Sequence, residues 1–140
     1  MNIREKIKAL EKLESEVSDL EEELGKYITT KLKYLYKLQE EYRKSKPTFK
    51  PIIAWEDIVV ASGDIQISGN NLELYYYNTY TYNKGDIEIP IDALEDDSKI
   101  ERWFKSKTSE FEERLEKAKK ELEDRQYKEY LKLKEKYEGI

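Results

Sequence analysis

The 140-residue sequence contains no cysteine and no histidine, and it has only five glycines and three prolines. Without cysteine the chain can form neither a disulfide nor a thiolate nucleophile, and cysteine usage gives no indication of the redox compartment. Without histidine it lacks the side chain best suited to proton transfer near neutral pH. The two absences together remove the usual ligands of zinc and other soft metals, so we expect no cofactor and no metal site.

Long apolar runs are also absent. No stretch approaches the ~20 apolar residues that a membrane-spanning helix needs. The sequence opens at Met1 directly into charged residues, without the apolar segment of a signal peptide. We therefore expect a cytoplasmic protein with no membrane partner.

Charged residues and tyrosines are the most prominent features of the amino-acid composition. Charged residues make up 41% of the chain, with 26 basic and 31 acidic side chains and a net charge of -5. The 12 tyrosines far outnumber the three phenylalanines and two tryptophans, and tyrosine suits half-buried faces and protein interfaces. The length favours a single domain over residues 1–140 with one modest core.

Two segments have the apolar spacing of amphipathic helices, residues 2–45 and residues 98–138. Asn2 with Glu5 has the spacing of a capping box, and Ser98 with Glu101 has the same spacing at the second helix. Pro47 ends the first helix. The heptad spacing of the first helix is interrupted beside Gly25, where we expect a bend or local unwinding.

Both apolar stripes are narrow and have highly charged flanks, which is typical of a coiled-coil seam. The first stripe comprises Ile3, Ile7, Leu10, Leu13, Val17, Leu20, Leu24, Ile28, Leu32, Leu35 and Tyr42. The second comprises Ile100, Trp103, Phe104, Phe111, Leu115, Ala118, Leu122, Tyr130, Leu133 and Tyr137. An antiparallel seam within the chain and an intermolecular bundle, including a homodimer, would both satisfy these stripes.

The middle segment, residues 52–92, changes to the alternation of β-strands. The predicted strands cover residues 58–60, 65–67, 72–82 and 87–91, with turns at residues 69–71 and 83–85. Pro90 has no N–H to donate, so the last strand should lie at a sheet edge. The predicted fold class is therefore α+β, with two long antiparallel coiled-coil-like helices flanking a three- to four-stranded antiparallel β-meander.

Catalytic chemistry finds little support in this sequence. No phosphate-binding glycine loop, EF-hand loop or Gly-x-Ser-x-Gly pattern is present. Carboxylate pairs such as Asp86 and Glu88 could bind Mg²⁺, but we favour the interpretation that they lie on a solvated strand face. We predict a protein that is not an enzyme and has no catalytic residues.

A basic stretch covers residues 31–50, which carry seven bases and two acids. Three tyrosines, Tyr34, Tyr36 and Tyr42, lie among these bases, so the stretch could contact phosphates and stack on nucleic-acid bases. A solvated helix face, or a basic patch that is complementary in charge to the acidic sheet, explains the same residues. The net acidity of the whole chain disfavours direct binding to nucleic acid.

Five tyrosines fall within eight positions of one predicted strand, between Tyr75 and Tyr82. Strand alternation puts Tyr75 and Tyr77 on one face, and Tyr76, Tyr80 and Tyr82 on the other. Exposed tyrosines flanked by acids could dock against a basic protein surface or imitate a nucleic-acid backbone, whereas a tyrosine-rich core is the alternative. The predicted partner-binding residues are Glu73, Tyr75, Tyr77, Tyr80, Tyr82, Asp86 and Glu88.

Two local strings carry a resemblance to a known group of proteins. They are Trp55-Glu56-Asp57-Ile58 and Ile89-Pro90-Ile91-Asp92-Ala93-Leu94-Glu95-Asp96-Asp97. With the order helix, acidic β-meander, helix, the chain resembles small accessory proteins of bacteriophages and prophages, including anti-CRISPR proteins. The resemblance implies a non-enzymatic inhibitor in the host cytoplasm, and it assigns no functional residue.

These observations lead to two hypotheses about function. In the first, the chain is a protein-binding inhibitor that blocks a host nucleic-acid-handling or defence protein through its acidic, tyrosine-rich sheet. In the alternative, it is a structural or scaffolding protein that self-assembles through its coiled-coil helices.

Overall fold

The computed structural model describes residues 2–138 and contains two long helices and one four-stranded antiparallel sheet. Helix α1 covers Ile3–Arg43 and helix α2 covers Asp97–Glu138. The predicted α+β class is therefore confirmed. The chain divides after Phe104 into two compact units, and the described part of the second unit consists of the remainder of α2. The single domain over residues 1–140 stays a prediction.

Each helix begins at a side-chain cap. At α1 the Asn2 side chain accepts a hydrogen bond from the Glu5 N–H at 2.9 Å, and the Glu5 carboxylate accepts one from the Asn2 N–H. The capping box predicted for α2 at Ser98 is wrong, because the helix already begins at Asp97. The Asp96 carboxylate instead accepts the Lys99 N–H at 2.8 Å and the Ser98 hydroxyl, and a charged acceptor suits the positive end of a helix.

Helix α1 runs without interruption past Gly25, so the predicted unwinding is not found. Gly25 is buried because the backbone of Val60 approaches the helix there. A Cβ at position 25 would lie 2.9 Å from the Val60 carbonyl oxygen. The neighbouring Thr29 hydroxyl accepts the Val60 N–H at 3.0 Å and donates to the Gly25 carbonyl. The glycine therefore allows close packing of the Val60 backbone against the helix.

The sheet contains β1 (Ile58–Val59), β2 (Ile65–Ser68), β3 (Asn71–Asn78) and β4 (Lys84–Pro90). Strand β3 is central: β2 pairs with its first half and β1 with its end, while β4 pairs along its other side. Strand β4 therefore lies at an edge of the sheet, as Pro90 predicts.

Strand β3 ends at Asn78, four residues before the predicted end. The buried Asn78 side chain accepts hydrogen bonds from the backbone N–H groups of Tyr80 and Thr81, both at 2.9 Å. This arrangement turns the chain immediately after the strand. The turn predicted at residues 83–85 therefore lies earlier, and Lys84 already belongs to β4.

The core of the first unit lies between the second half of α1 and the inner face of the sheet. Its most deeply buried apolar side chains are Ile28, Leu32, Leu35, Ile53, Ile58, Leu74, Ile89 and Ile100. Three aromatic rings close one part of this core, with Tyr42, Phe49 and Phe104 packed edge to face at centroid distances of 5.2–5.9 Å. Apolar burial of this kind is the main favourable contribution to folding.

The apolar stripe of α1 before Gly25 is exposed, and its members Ile3, Ile7, Leu10, Leu13, Val17, Leu20 and Leu24 are between 47% and 74% accessible to solvent. In α2 the stripe residues Leu115, Leu122, Tyr130, Leu133 and Tyr137 are exposed as well. The structure therefore does not confirm the predicted coiled-coil seam.

Candidate protein-binding face of the sheet

The two faces of β3 differ in burial, as strand alternation requires. Leu72, Leu74 and Tyr76 point into the core and are buried, whereas Glu73 and Tyr75 alternate with them on the opposite side. Tyr77 shares this opposite side, where Tyr75 is 37% exposed and Tyr77 is half-buried. The predicted separation of Tyr76 from Tyr75 and Tyr77 is therefore confirmed.

The pairing of β3 with β4 brings five of the seven predicted site residues together. Glu73 lies directly opposite Glu88, Tyr75 opposite Asp86, and Tyr77 opposite Lys84. We call this side of the two strands the outer face, defined by Glu73, Tyr75, Tyr77, Lys84, Asp86 and Glu88. Alternation on both strands therefore gives one continuous surface of rings and charges.

The other two predicted residues, Tyr80 and Tyr82, lie outside the outer face. They belong to the turn between β3 and β4 and are 77% and 80% exposed. Their expected sharing of a face with Tyr76 is wrong, because the strand ends at Asn78. Tyr82 has a positive φ of 59°, a conformation that a bulky residue adopts only when its surroundings impose it.

Lys84 also belongs to the outer face, although the sequence pattern predicts that it lies in a turn. Its Nζ lies 3.9 Å from the centroid of the Tyr75 ring and 5.9 Å from that of the Tyr77 ring. Such a cation–π contact contributes roughly 0.5–1 kcal/mol at an exposed site. The spacing of Lys84 from Asp86 and Glu88, two and four positions, was the signal that could have found it.

The outer face is acidic. It carries three carboxylates, and a fourth, that of Asp64, lies beside Tyr77. The Asp64 Oδ1 accepts a hydrogen bond from the Tyr77 hydroxyl at 3.4 Å. Glu88 accepts a hydrogen bond from the Asn71 side chain at 3.1 Å. Glu73 and Glu88 face each other directly across the two strands, and like charges in that position repel. A positive charge placed between them would relieve this repulsion.

On the inner face, Tyr76 covers the backbone of Gly85, its partner in the ladder. The Tyr76 hydroxyl accepts the Ala54 N–H at 3.1 Å, and its ring contacts Trp55 edge to face. Burial raises the pKa of the Tyr76 hydroxyl. Tyr76 therefore belongs to the core, so the tyrosine-rich strand divides between core and surface.

Much of the basic stretch at residues 31–50 is engaged within the first unit. Lys31 pairs with Asp97 at 2.9 Å, and Lys44 pairs with Glu41 at 2.8 Å. The Tyr34 hydroxyl donates a hydrogen bond to Glu101, which raises the pKa of Tyr34 to about 12. Tyr42 packs in the aromatic cluster with Phe49 and Phe104. These contacts leave fewer rings and charges for nucleic acid, and the expectation that the chain does not bind nucleic acid directly stays a prediction.

Across residues 2–138 no group of three or more metal-ligating side chains is arranged to hold an ion, and no helix is long and apolar enough to cross a bilayer. Comparison of the chain with protein-family models, with curated proteins and with solved structures finds no significant match. The case for function therefore depends on the surfaces of the molecule itself.

Proposed function

We propose that this chain is a non-enzymatic binding module that holds a basic surface of a protein partner against the outer face of its sheet. The observation that supports the proposal is the register of β3 and β4, which groups two tyrosine rings with three carboxylates on one side of the sheet. Tyrosine is enriched at protein interfaces because it offers a large ring with a polar tip.

The chemistry of the partner follows from the charges. Lysine or arginine side chains would neutralise Glu73 and Glu88, whose carboxylates otherwise repel each other. The rings of Tyr75 and Tyr77 already attract the Lys84 ammonium group, so the same rings suit cationic groups of a partner. A basic surface of this kind is typical of proteins that handle nucleic acid.

The resemblance to phage accessory proteins extends the proposal to inhibition. A basic surface that binds nucleic acid would be blocked when the acidic outer face occupies it. A host nucleic-acid-handling or defence protein is therefore the partner class that we propose, in the cytoplasm of the host.

The test compares two variants of the full chain. One replaces Glu73, Tyr75 and Tyr77 with threonine, which keeps the strand propensity of these positions. The matched control replaces Tyr127, Glu129 and Tyr130 of α2 with alanine, which removes the same side-chain types from another exposed surface. Wild type and both variants are immobilised and exposed to a nuclease-treated lysate of the source cell.

We expect wild type and the α2 control to retain one stoichiometric protein and the outer-face variant to lose it, with helical circular dichroism unchanged in all three. Truncation of two interface tyrosines and one glutamate corresponds to a loss of affinity of roughly a hundredfold. Retention of the same partner by the outer-face variant would refute the site.

A second candidate function, a self-assembling scaffold, is favoured by the exposed apolar stripes of α1 and α2, if α1 of one copy pairs with α2 of another. This hypothesis predicts oligomers whose size increases with concentration, and their dissociation by polar substitutions at Leu13 and Leu20. Light scattering that shows a monomer at high concentration would exclude it.

A further inference from the structure

The first half of α1 presents an apolar surface that is exposed to solvent. We call residues 3–24 the α1 arm; its 22 residues form roughly 33 Å of helix. The first buried residue of α1 is Gly25, at the C-terminal limit of the arm. The seven apolar residues of the arm are 47–74% exposed. A continuous apolar stripe of this size on a soluble protein indicates an interaction surface.

The apolar residues of the α1 arm follow a heptad. Ile3, Leu10, Val17 and Leu24 occupy a positions, and Leu13 and Leu20 occupy d positions. The e and g positions that border this seam select the partner of a coiled coil by charge. In the two heptads from Leu10 to Glu23, all four of these positions are glutamates: Glu14, Glu16, Glu21 and Glu23.

This charge pattern opposes pairing of the arm with a second copy of itself. In a parallel pair, g residues face e residues of the partner helix, which places Glu16 against Glu21 of the second copy. In an antiparallel pair, e faces e and g faces g, and these contacts again join glutamates. Repulsion between like charges therefore selects against both arrangements of a homodimer.

We infer that the α1 arm docks a basic amphipathic helix of another protein, with apolar residues at its own a and d positions and lysine or arginine beside them. The apolar stripe supplies the buried seam, and the four glutamates supply pairing across its edges. This inference concerns a surface separate from the outer face of the sheet, and it does not rest on the proposed function.

The test uses two designed helical peptides of three heptads with leucine at a and d. One carries lysine and the other glutamate at e and g. Both are titrated onto the full chain with fluorescence anisotropy as the readout. We expect the basic peptide to bind wild type about tenfold or more tightly than the acidic peptide.

Charge reversal locates the binding. The seam variant Glu14→Lys, Glu16→Lys, Glu21→Lys should prefer the acidic peptide, because three of the four e and g charges are inverted. The matched control Glu11→Lys, Asp19→Lys, Glu22→Lys changes the net charge by the same amount at positions b, c and f, and it should keep the wild-type preference. All of these positions are exposed, and circular dichroism confirms that both variants remain helical.

Other outcomes would overturn the inference. Equal binding of both peptides by wild type, or no binding at all, would contradict it. An equal change of preference in the matched control would show attraction to net charge alone. Loss of the basic peptide in the Glu73, Tyr75, Tyr77 variant would place its binding on the sheet. A concentration-dependent dimer of wild type would make a second copy the occupant of the arm.

Discussion

Single side chains determine how the loop after α1 is fixed to the core. Gln39 is completely buried, and its amide oxygen accepts the N–H groups of Ile52 and Ile53. Its amide nitrogen donates to the Ile53 carbonyl at 2.8 Å. One helix side chain thus satisfies three backbone groups of the segment that leads into the sheet, where unpaired buried groups would be costly.

The variant Gln39→Leu tests this contribution. Leucine fits the same space but leaves the N–H groups of Ile52 and Ile53 and the Ile53 carbonyl without this partner, so we expect the free energy of unfolding to fall by about 2–4 kcal/mol. Urea denaturation followed by circular dichroism measures this change. Lys37→Ala, an exposed position on the same helix, should stay within about 0.5 kcal/mol of wild type. A comparably small effect of Gln39→Leu would contradict the account.

At the scale of the elements, residue spacing predicts which helices and strands form, whereas contacts of individual side chains determine where each one ends. Periods of 3.6 and 2 identified both helices and all four strands. The end of β3 could not be predicted, because it depends on the Asn78 side chain binding the backbone of the next turn. For the same reason the sequence pattern wrongly predicts a turn at Lys84 and a strand at Tyr80 and Tyr82.

The start of α2 gives a prediction about pH. The hydrogen bond from the Lys99 N–H, followed by that from Ser98, lowers the pKa of Asp96 from its ordinary value of 3.8. Since the folded-state pKa lies below the unfolded value, the cap stabilises the protein above the unfolded pKa. This contribution is lost as the pH falls through the folded pKa.

Asp96→Asn separates titration from capping, because asparagine also caps helices but carries no charge. We expect wild type to have the higher melting temperature at pH 6 and the difference to shrink as the pH falls to about 3. Thermal melts of both proteins monitored by circular dichroism across this range measure it. A difference that stays constant with pH would show that the Asp96 charge is not involved.

At the scale of the whole molecule, the sequence predicts an acidic tyrosine surface, but of its four predicted rings only those of Tyr75 and Tyr77 lie on the outer face. Alternation separated Tyr75 and Tyr77 from Tyr76, and the structure confirms this division. The register of β3 against β4 could not be predicted from the sequence, because it depends on pairing between distant residues such as Glu73 and Glu88. The outer face and the α1 arm are both acidic, yet they present different apolar groups, rings on the sheet and aliphatic side chains on the helix.

The most direct test of the central claim is the affinity of the captured partner for three forms of the chain, measured by isothermal titration calorimetry. These are wild type, the Glu73, Tyr75, Tyr77 variant and the Tyr127, Glu129, Tyr130 control. The account predicts that the outer-face variant binds roughly a hundredfold more weakly, while the control stays within about twofold of wild type. Equal affinity of the outer-face variant and wild type would contradict the claim that the sheet binds the partner.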